Sequence, residues 1–192
     1  ITAEHDGVGD AIGLVHPKRH VEKVEAEADD AGICRLAVAG ALAAADAVCT
    51  GIVLNAFCAL RPPGHHAFDR GPFGFCYFNN AAVAARYLQR RHGVGKVLIV
   101  DWDYHHGNGT EDTFYEDSSV LYFSTHKFGA FPGTGAPERL GWGGGAGCNI
   151  NVPMPSGAGD YDFIEVFNEV LVPTAEKFKP DFVVVSAGFD GR

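Results

Sequence analysis

The sequence predicts an α/β fold with a mostly parallel sheet flanked by helices, and three observations predict it. Short apolar runs rich in β-branched residues, at 97–100, 120–124 and 182–186, read as buried strands. Stretches of helical periodicity alternate with them, the order that builds parallel sheets. Each run gives way to polar or small residues, as happens where an open α/β sheet presents its carboxyl ends to a ligand.

In chain order, residues 1–32 are polar, and Val21-Glu22-Lys23-Val24-Glu25 predicts a short surface helix followed by an acidic turn. Residues 34–49 are alanine-rich with almost no polar face and predict a well-buried helix. Residues 52–60 are strand-like until Pro62-Pro63-Gly64 stops them, and a glycine- and aromatic-rich loop runs over 65–75. Asn79-Asn80 caps a helix that reaches about Arg91 and ends at His92-Gly93. Strands are expected at 97–103 and 120–124, a long Gly/Pro loop at 126–147 and another strand at 148–152. An amphipathic helix over 160–178 and the strand at 182–186 close the chain. Neither repeats nor an internal boundary are visible, so the expectation is one domain, incomplete. The chain begins at Ile1 without a methionine and stops directly after Gly188-Phe189-Asp190-Gly191-Arg192, which reads as a piece of a longer protein.

Composition narrows the function. A length of 192 residues is enough for a substantial core. A net charge of −9 argues against a nucleic-acid binder working through phosphates, though it suits a basic substrate. The apolar run from Leu36 to Cys49 is interrupted by Asp46, so no membrane span is expected. Five cysteines without a C-x-x-C pair fit neither a disulfide framework nor a Cys-rich zinc site. They suggest a reducing compartment, and with no export signal at the start, a cytoplasmic protein, or a nuclear one in a eukaryote.

Three strand ends carry chemistry. After 97–100 comes Asp101-Trp102-Asp103-Tyr104-His105-His106-Gly107-Asn108-Gly109. Alternation along a strand would send Asp101, Asp103 and His105 to one side, a set suited to a divalent metal such as zinc. A charged loop with solvated side chains is the plainer reading for any one of them. Leu60-Arg61-Pro62-Pro63-Gly64-His65-His66 puts two histidines past a strand tip, where imidazoles can move protons near neutral pH. Ser186-Ala187-Gly188-Phe189-Asp190 offers one more carboxylate. Alone it reads as a helix cap; with Asp103 and His105 it makes an Asp/His/Asp set with an open fourth position. By contrast, Gly141-Trp142-Gly143-Gly144-Gly145-Ala146 matches G-x-G-x-x-A but precedes a strand, the reverse of a dinucleotide site.

Taken together, Arg61-Pro62-Pro63-Gly64-His65-His66-Ala67, Gly74-Phe75-Cys76-Tyr77-Phe78-Asn79-Asn80, the Asp101–Gly109 motif and Ala187-Gly188-Phe189-Asp190 resemble the histone deacetylase family. That family includes bacterial acetylpolyamine amidohydrolases, and Arg-Pro-Pro-Gly with His-Gly-Asn-Gly is similar to its class II branch. The resemblance implies the three-layer arginase/deacetylase-like fold and a single partial catalytic domain over 1–192. It implies zinc on Asp103, His105 and Asp190, and tandem histidines His65 and His66, with His66 the main proton shuttle. Asp101 would orient His65, and Asn108 stands where other branches place an Asp behind the second histidine, making His66 less basic. Gly74, Phe75 and Phe131 match the acyl-lysine channel. Asp101, Asp103, His105, Ser124 and Thr125 match an inner potassium site.

The implied activity is zinc-dependent hydrolysis of the acetyl amide of N-acetyl-lysine in proteins. An acetylpolyamine amidohydrolase and a catalytically silent, zinc-bearing acyl-lysine or partner-binding protein are the alternatives. An arginase-like two-metal hydrolase fits the single predicted zinc set poorly. Acetylated protein or polyamine is thus the expected partner, with neither nucleic acid nor membrane. The family's oxyanion-stabilising tyrosine belongs to a Gly-Gly-Tyr segment beyond Arg192, so these residues alone are expected to be inactive. For the acidic residue that holds the substrate backbone, Glu27, Asp29 and Asp30 are the candidates.

Overall fold

The computed structural model describes residues 6–191, so the two chain ends, Ile1 and Arg192, lie outside the described residues. Two compact units divide the chain, one up to Gly93 and one from Val94.

The first unit is helical. Helix α1 (Val8–Ile12), which the sequence reading did not foresee, precedes α2 (Lys18–Glu27), α3 (Ala31–Cys49) and α4 (Asn80–His92). Asp30 caps α3 by accepting the Ile33 N–H at 3.1 Å, and Asn79 caps α4 by accepting that of Ala82 at 3.0 Å. Gly93, in the left-handed region at φ +67°, ends α4 as its His-Gly signal predicts. Ile12, Val24, Val38, Leu42, Phe78 and Val83 form the core.

Three expectations need correction here. Helix α3 is not buried all round: Cys34, Val38 and Leu42 enter the core while Ile33 and Leu36 are exposed. By length and composition α3 is apolar enough to cross a membrane, so Asp46 does not disqualify it on those grounds. What Asp46 does is tie α3 to α4, accepting the Tyr87 hydroxyl at 3.0 Å and meeting His92 Nε2 at 2.6 Å. Residues 52–60 form no strand, and Leu54 and Phe57 are exposed. A strand needs a neighbour for its peptide groups. The bonds here are local, with the Ile52 and Val53 N–H groups both on the Ala47 carbonyl at 2.9 and 3.2 Å.

The second unit is a parallel four-stranded sheet in the order β3-β2-β1-β4, with β1 Val97–Asp101, β2 Val120–Lys127, β3 Asn149–Met154 and β4 Phe182–Ser186. Helix α5 (Asn108–Phe114) follows the end of β1. Leu98, Val100, Leu121 and Phe123 form one sheet face, covered by Val166, Phe167, Leu171 and Phe178 of the 160–178 segment. That segment is α6 (Asp160–Val166) and α7 (Val172–Phe178) joined by a π-turn at Phe167–Leu171. Pro173 explains the interruption, because it lacks the N–H that a regular helix would send to Glu169.

Register positions the functional loops. Asp101 pairs with Ser124 on one side and with Ser186 on the other. The chain therefore leaves β1, β2 and β4 at one edge, where 102–107, 128–131 and 187–191 meet. Strand β1 stops at Asp101, two residues short of the expected 103.

Candidate active site

At that edge Asp103, His105 and Asp190 each offer a donor atom, all within 4.8 Å of one another. His105 Nδ1 lies 3.3 Å from Asp103 Oδ1 and 3.1 Å from Asp190 Oδ2. Ligand atoms held about 2.0–2.2 Å from a tetrahedral zinc stand roughly 3.3–3.5 Å apart, so the two spacings from His105 and the donor types fit that metal. It is Nδ1 of His105 that faces the carboxylates, a detail the sequence could not give. The His105 backbone N–H also donates to Asp103 Oδ1 at 2.7 Å, which fixes the turn between the two. A Cβ at Gly188 would fall 1.6 Å from Asp103 Oδ2, so only glycine lets the 187–190 turn approach this closely.

Strand alternation is not what gathers these residues, since the strand has ended by Asp103. Asp101 stays in the sheet, fully buried, accepting the Asp103 N–H at 3.2 Å and the Tyr122 hydroxyl at 3.0 Å. Burial first, then the Asp101 charge, pushes the Tyr122 phenol well above its ordinary range, so it stays protonated as the donor. Of the other residues in the oxygen-rich set, Ser124 meets His126 Nδ1 at 2.9 Å, and Thr125 Oγ1 is buried with no hydrogen-bond partner among the described residues. Asn108 is buried at the start of α5. Phe131 sets its ring edge-on to that of His105, centroids 6.0 Å apart.

The first unit holds the remaining candidates. His65 and His66 are buried with ring centroids 4.1 Å apart, and Phe73 meets His66 edge-on at 6.0 Å. Phe73 and Cys76 exchange both backbone bonds, at 3.0 and 2.9 Å. Between them Gly74 (φ +55°) and Phe75 (φ +62°) make a two-residue turn of primed type. Phe75 is 87% exposed and pays backbone strain to be there, a combination that clusters at ligand-binding sites. Among the three acidic candidates for holding a substrate backbone, Asp30 is used as a helix cap and Glu27 pairs with Lys23 at 3.8 Å.

Sequence reading missed the residues that hold this loop. His16 bridges it by donating from Nδ1 to the Phe68 carbonyl at 2.6 Å and accepting the Asn79 N–H on Nε2 at 2.9 Å. His20 repeats the device, donating to the Tyr77 carbonyl at 2.7 Å and accepting the Gly71 N–H at 3.0 Å. Burial, and then its stacked neighbour His20, lowers the His16 pKa from 6.5 to about 4. Asn79 adds a bond to the Ala67 carbonyl at 3.1 Å, so the cap of α4 also fastens the segment after His66. No spacing signal marks the two histidines, because their partners lie 51 to 63 positions away.

Residues 9–192 match the histone deacetylase domain family. A rice protein named histone deacetylase 10, chloroplastic (Oryza sativa subsp. japonica) is 42% identical over 209 residues, covering 95% of this chain and 47% of the relative. Human histone deacetylase 9 is 44% identical over 171 residues, covering 85% of this chain and 17% of the relative. The crystal structure of the HDA15 HD domain superposes with a TM-score of 0.90 at 44% identity, covering 95% of this chain and 58% of that one. The chain thus spans less than half the length of these curated relatives and bears the α/β architecture of the solved domain. With the family match running through both units and over every motif described above, the chain belongs to the histone deacetylase family.

Proposed function

We propose that the full-length protein hydrolyses the acetyl amide of N-acetyl-lysine in proteins, using zinc held by Asp103, His105 and Asp190. The observation that carries this reading is the convergence of those three donors within 4.8 Å inside the matched domain. Both units, 1–93 and 94–192, would serve one catalytic domain, a reading supported by a family match that crosses their boundary.

Zinc bound there would supply a Lewis acid for the amide carbonyl and lower the pKa of water. The chain's own groups divide the remaining work. His66 takes the proton from the attacking water and returns it to the leaving lysine amine, with His65 beside it and Asp101 orienting His65. Asn108, neutral where an Asp would raise the basicity of the second histidine, keeps His66 able to give its proton back. By the family resemblance, Gly74, Phe75 and Phe131 would each serve the acyl-lysine channel, their rings suited to an alkyl chain. Potassium would occupy the oxygen-rich set of Asp101, Asp103, His105, Ser124 and Thr125; the buried Thr125 hydroxyl, without a hydrogen-bond partner among the described residues, supports it. Five free thiols support a reducing compartment, and since two relatives are named chloroplastic, imaging against a chloroplast marker decides between that organelle and the cytoplasm.

The test is deacetylation by the zinc-loaded full-length protein of an acetyl-lysine peptide and of an acetylated diamine. Turnover of the peptide is expected, lost with the metal in Asp103→Ala and lost without loss of metal in His66→Ala. Preference for the diamine would move the substrate class to polyamines. A stoichiometric zinc content in Asp103→Ala would overturn the metal assignment.

A further inference from the structure

We infer that Glu111 is a positioning residue for the substrate loop: it anchors residues 134–139 from beneath and so holds Phe131 against His105. The inference rests on the reading of Phe131 as a channel wall.

Glu111 sits on α5 with 2% of its side chain exposed, an acid in a place that acids avoid unless they are paired. Arg139 Nε donates to Oε1, while Asn149 and Asn151 donate from Nδ2 to Oε2 at 2.8 and 2.5 Å. His106 Nε2 faces Oε2 at 3.4 Å. Burial alone would raise the Glu111 pKa, but His106, Asn151 and Arg139 outweigh it and bring it to about 2. Glu111 is a carboxylate throughout the working pH range.

Those partners all reach the loop. The same Asn149 amide donates to the Arg139 carbonyl at 2.6 Å, and that of Asn151 to the Ala136 carbonyl at 3.3 Å. By fixing one N–H of each amide, Glu111 aims the other at the loop backbone. His106 Nδ1 lies 2.7 Å from the Thr134 hydroxyl, and His126 Nε2 donates to the Gly135 carbonyl at 3.0 Å. Residues 134, 135, 136 and 139 are thus each tied to a buried polar side chain. A Cβ at Gly135 would come within 2.3 Å of His126 Nε2, which shows how closely the loop is drawn down.

The loop borders a cleft of about 590 Å³ lined by Asn108, Glu111, His126, Phe128, Thr134 and Arg139. Those polar ties fix the position of the loop, and Phe131, three residues before the first tie, takes its place beside His105 from them. Moving a binding wall by an ångström is enough to weaken substrate positioning by one to two orders of magnitude.

The experiment uses the zinc-loaded full-length protein and an acetyl-lysine peptide, with Glu111→Gln, Arg139→Gln, Phe131→Ala and the Glu111→Gln/Phe131→Ala double variant. An amide at 111 cannot accept on both sides, so its NH2 group confronts either Arg139 or the two asparagines. The expected result for Glu111→Gln and Arg139→Gln is a KM raised about tenfold, kcat within about twofold and zinc stoichiometric. Peptides over 129–139 should exchange amide hydrogens faster, with β1 unchanged, and the double variant should be no worse than Phe131→Ala. If Glu111→Gln fails to fold, Arg139→Gln, altered at the exposed end of the cluster, decides alone. Unchanged exchange and KM, or loss of zinc, overturns the inference while leaving the channel reading in place provided Phe131→Ala raises KM. An unaltered KM in Phe131→Ala overturns both.

Discussion

At the scale of the residue, Asp103 illustrates what the sequence could and could not disclose. Its type and spacing from His105 announce a metal ligand, and the two do converge with Asp190. What makes the convergence possible is a residue that offers no chemistry, Gly188, whose missing Cβ leaves room for Asp103 Oδ2. Gly188→Ala should therefore push the 187–190 turn away from the β1 loop and lower zinc affinity roughly 10- to 100-fold, the range seen when groups supporting metal ligands are lost. A chelator competition titration on the full-length protein checks this; zinc binding as tight as in the parent would show that the turn can yield elsewhere. Glu111 was invisible for the opposite reason. It sits in an ordinary-looking Thr110-Glu111-Asp112 stretch, and only the fold brings Asn149 and Asn151 to it.

At the scale of the element, strands and caps were legible because their signals are local, such as β-branched runs, Asn79 before α4 and Gly93 after it. Residues 52–60 carry the same apolar pattern as a strand and are not one, since pairing is a property of two segments. The loop after His66 has its own non-local logic, resting on neutral His16 and His20. For His16 the folded pKa of about 4 lies below the ordinary 6.5, so the unfolded chain binds its proton first as pH falls. The stability that neutral His16 represents is complete above 6.5 and drains away between 6.5 and 4. By about pH 5 the loss is on the order of 2 kcal/mol. The charged groups around the pair, Asp69 and Lys23, act on His20 in opposite directions. His16→Gln keeps a donor for Phe68 and an acceptor for Asn79 without the titration. Urea unfolding should show the parent losing about 2 kcal/mol more than this variant between about pH 7.5 and about pH 5. Equal losses would place the acid sensitivity elsewhere.

At the scale of the whole molecule, the parallel sheet and its functional edge were readable because three apolar runs end in polar residues and all three ends lie on one side. The division into units was not readable, because no composition shift marks Gly93. The sheet's topology gives the metal a structural consequence. Asp103 and His105 follow β1 whereas Asp190 follows β4, two strands more than eighty residues apart in sequence and adjacent in the sheet. An ion on all three would cross-link their ends, and anything bound only by the folded state stabilises it by RT ln(1 + [L]/Kd). With free zinc about a thousandfold above Kd this amounts to about 4 kcal/mol, a rise of several degrees in Tm. Scanning calorimetry of the full-length protein with zinc and with a chelator should show that rise, and Asp190→Asn should shrink it sharply. Hydrogen exchange gives the position: chelation should loosen 187–191 and 102–107 together and leave the β1–β2 ladder protected. Loosening of 102–107 alone would mean that the ion is held from the β1 side, and Asp190 would then leave the ligand set.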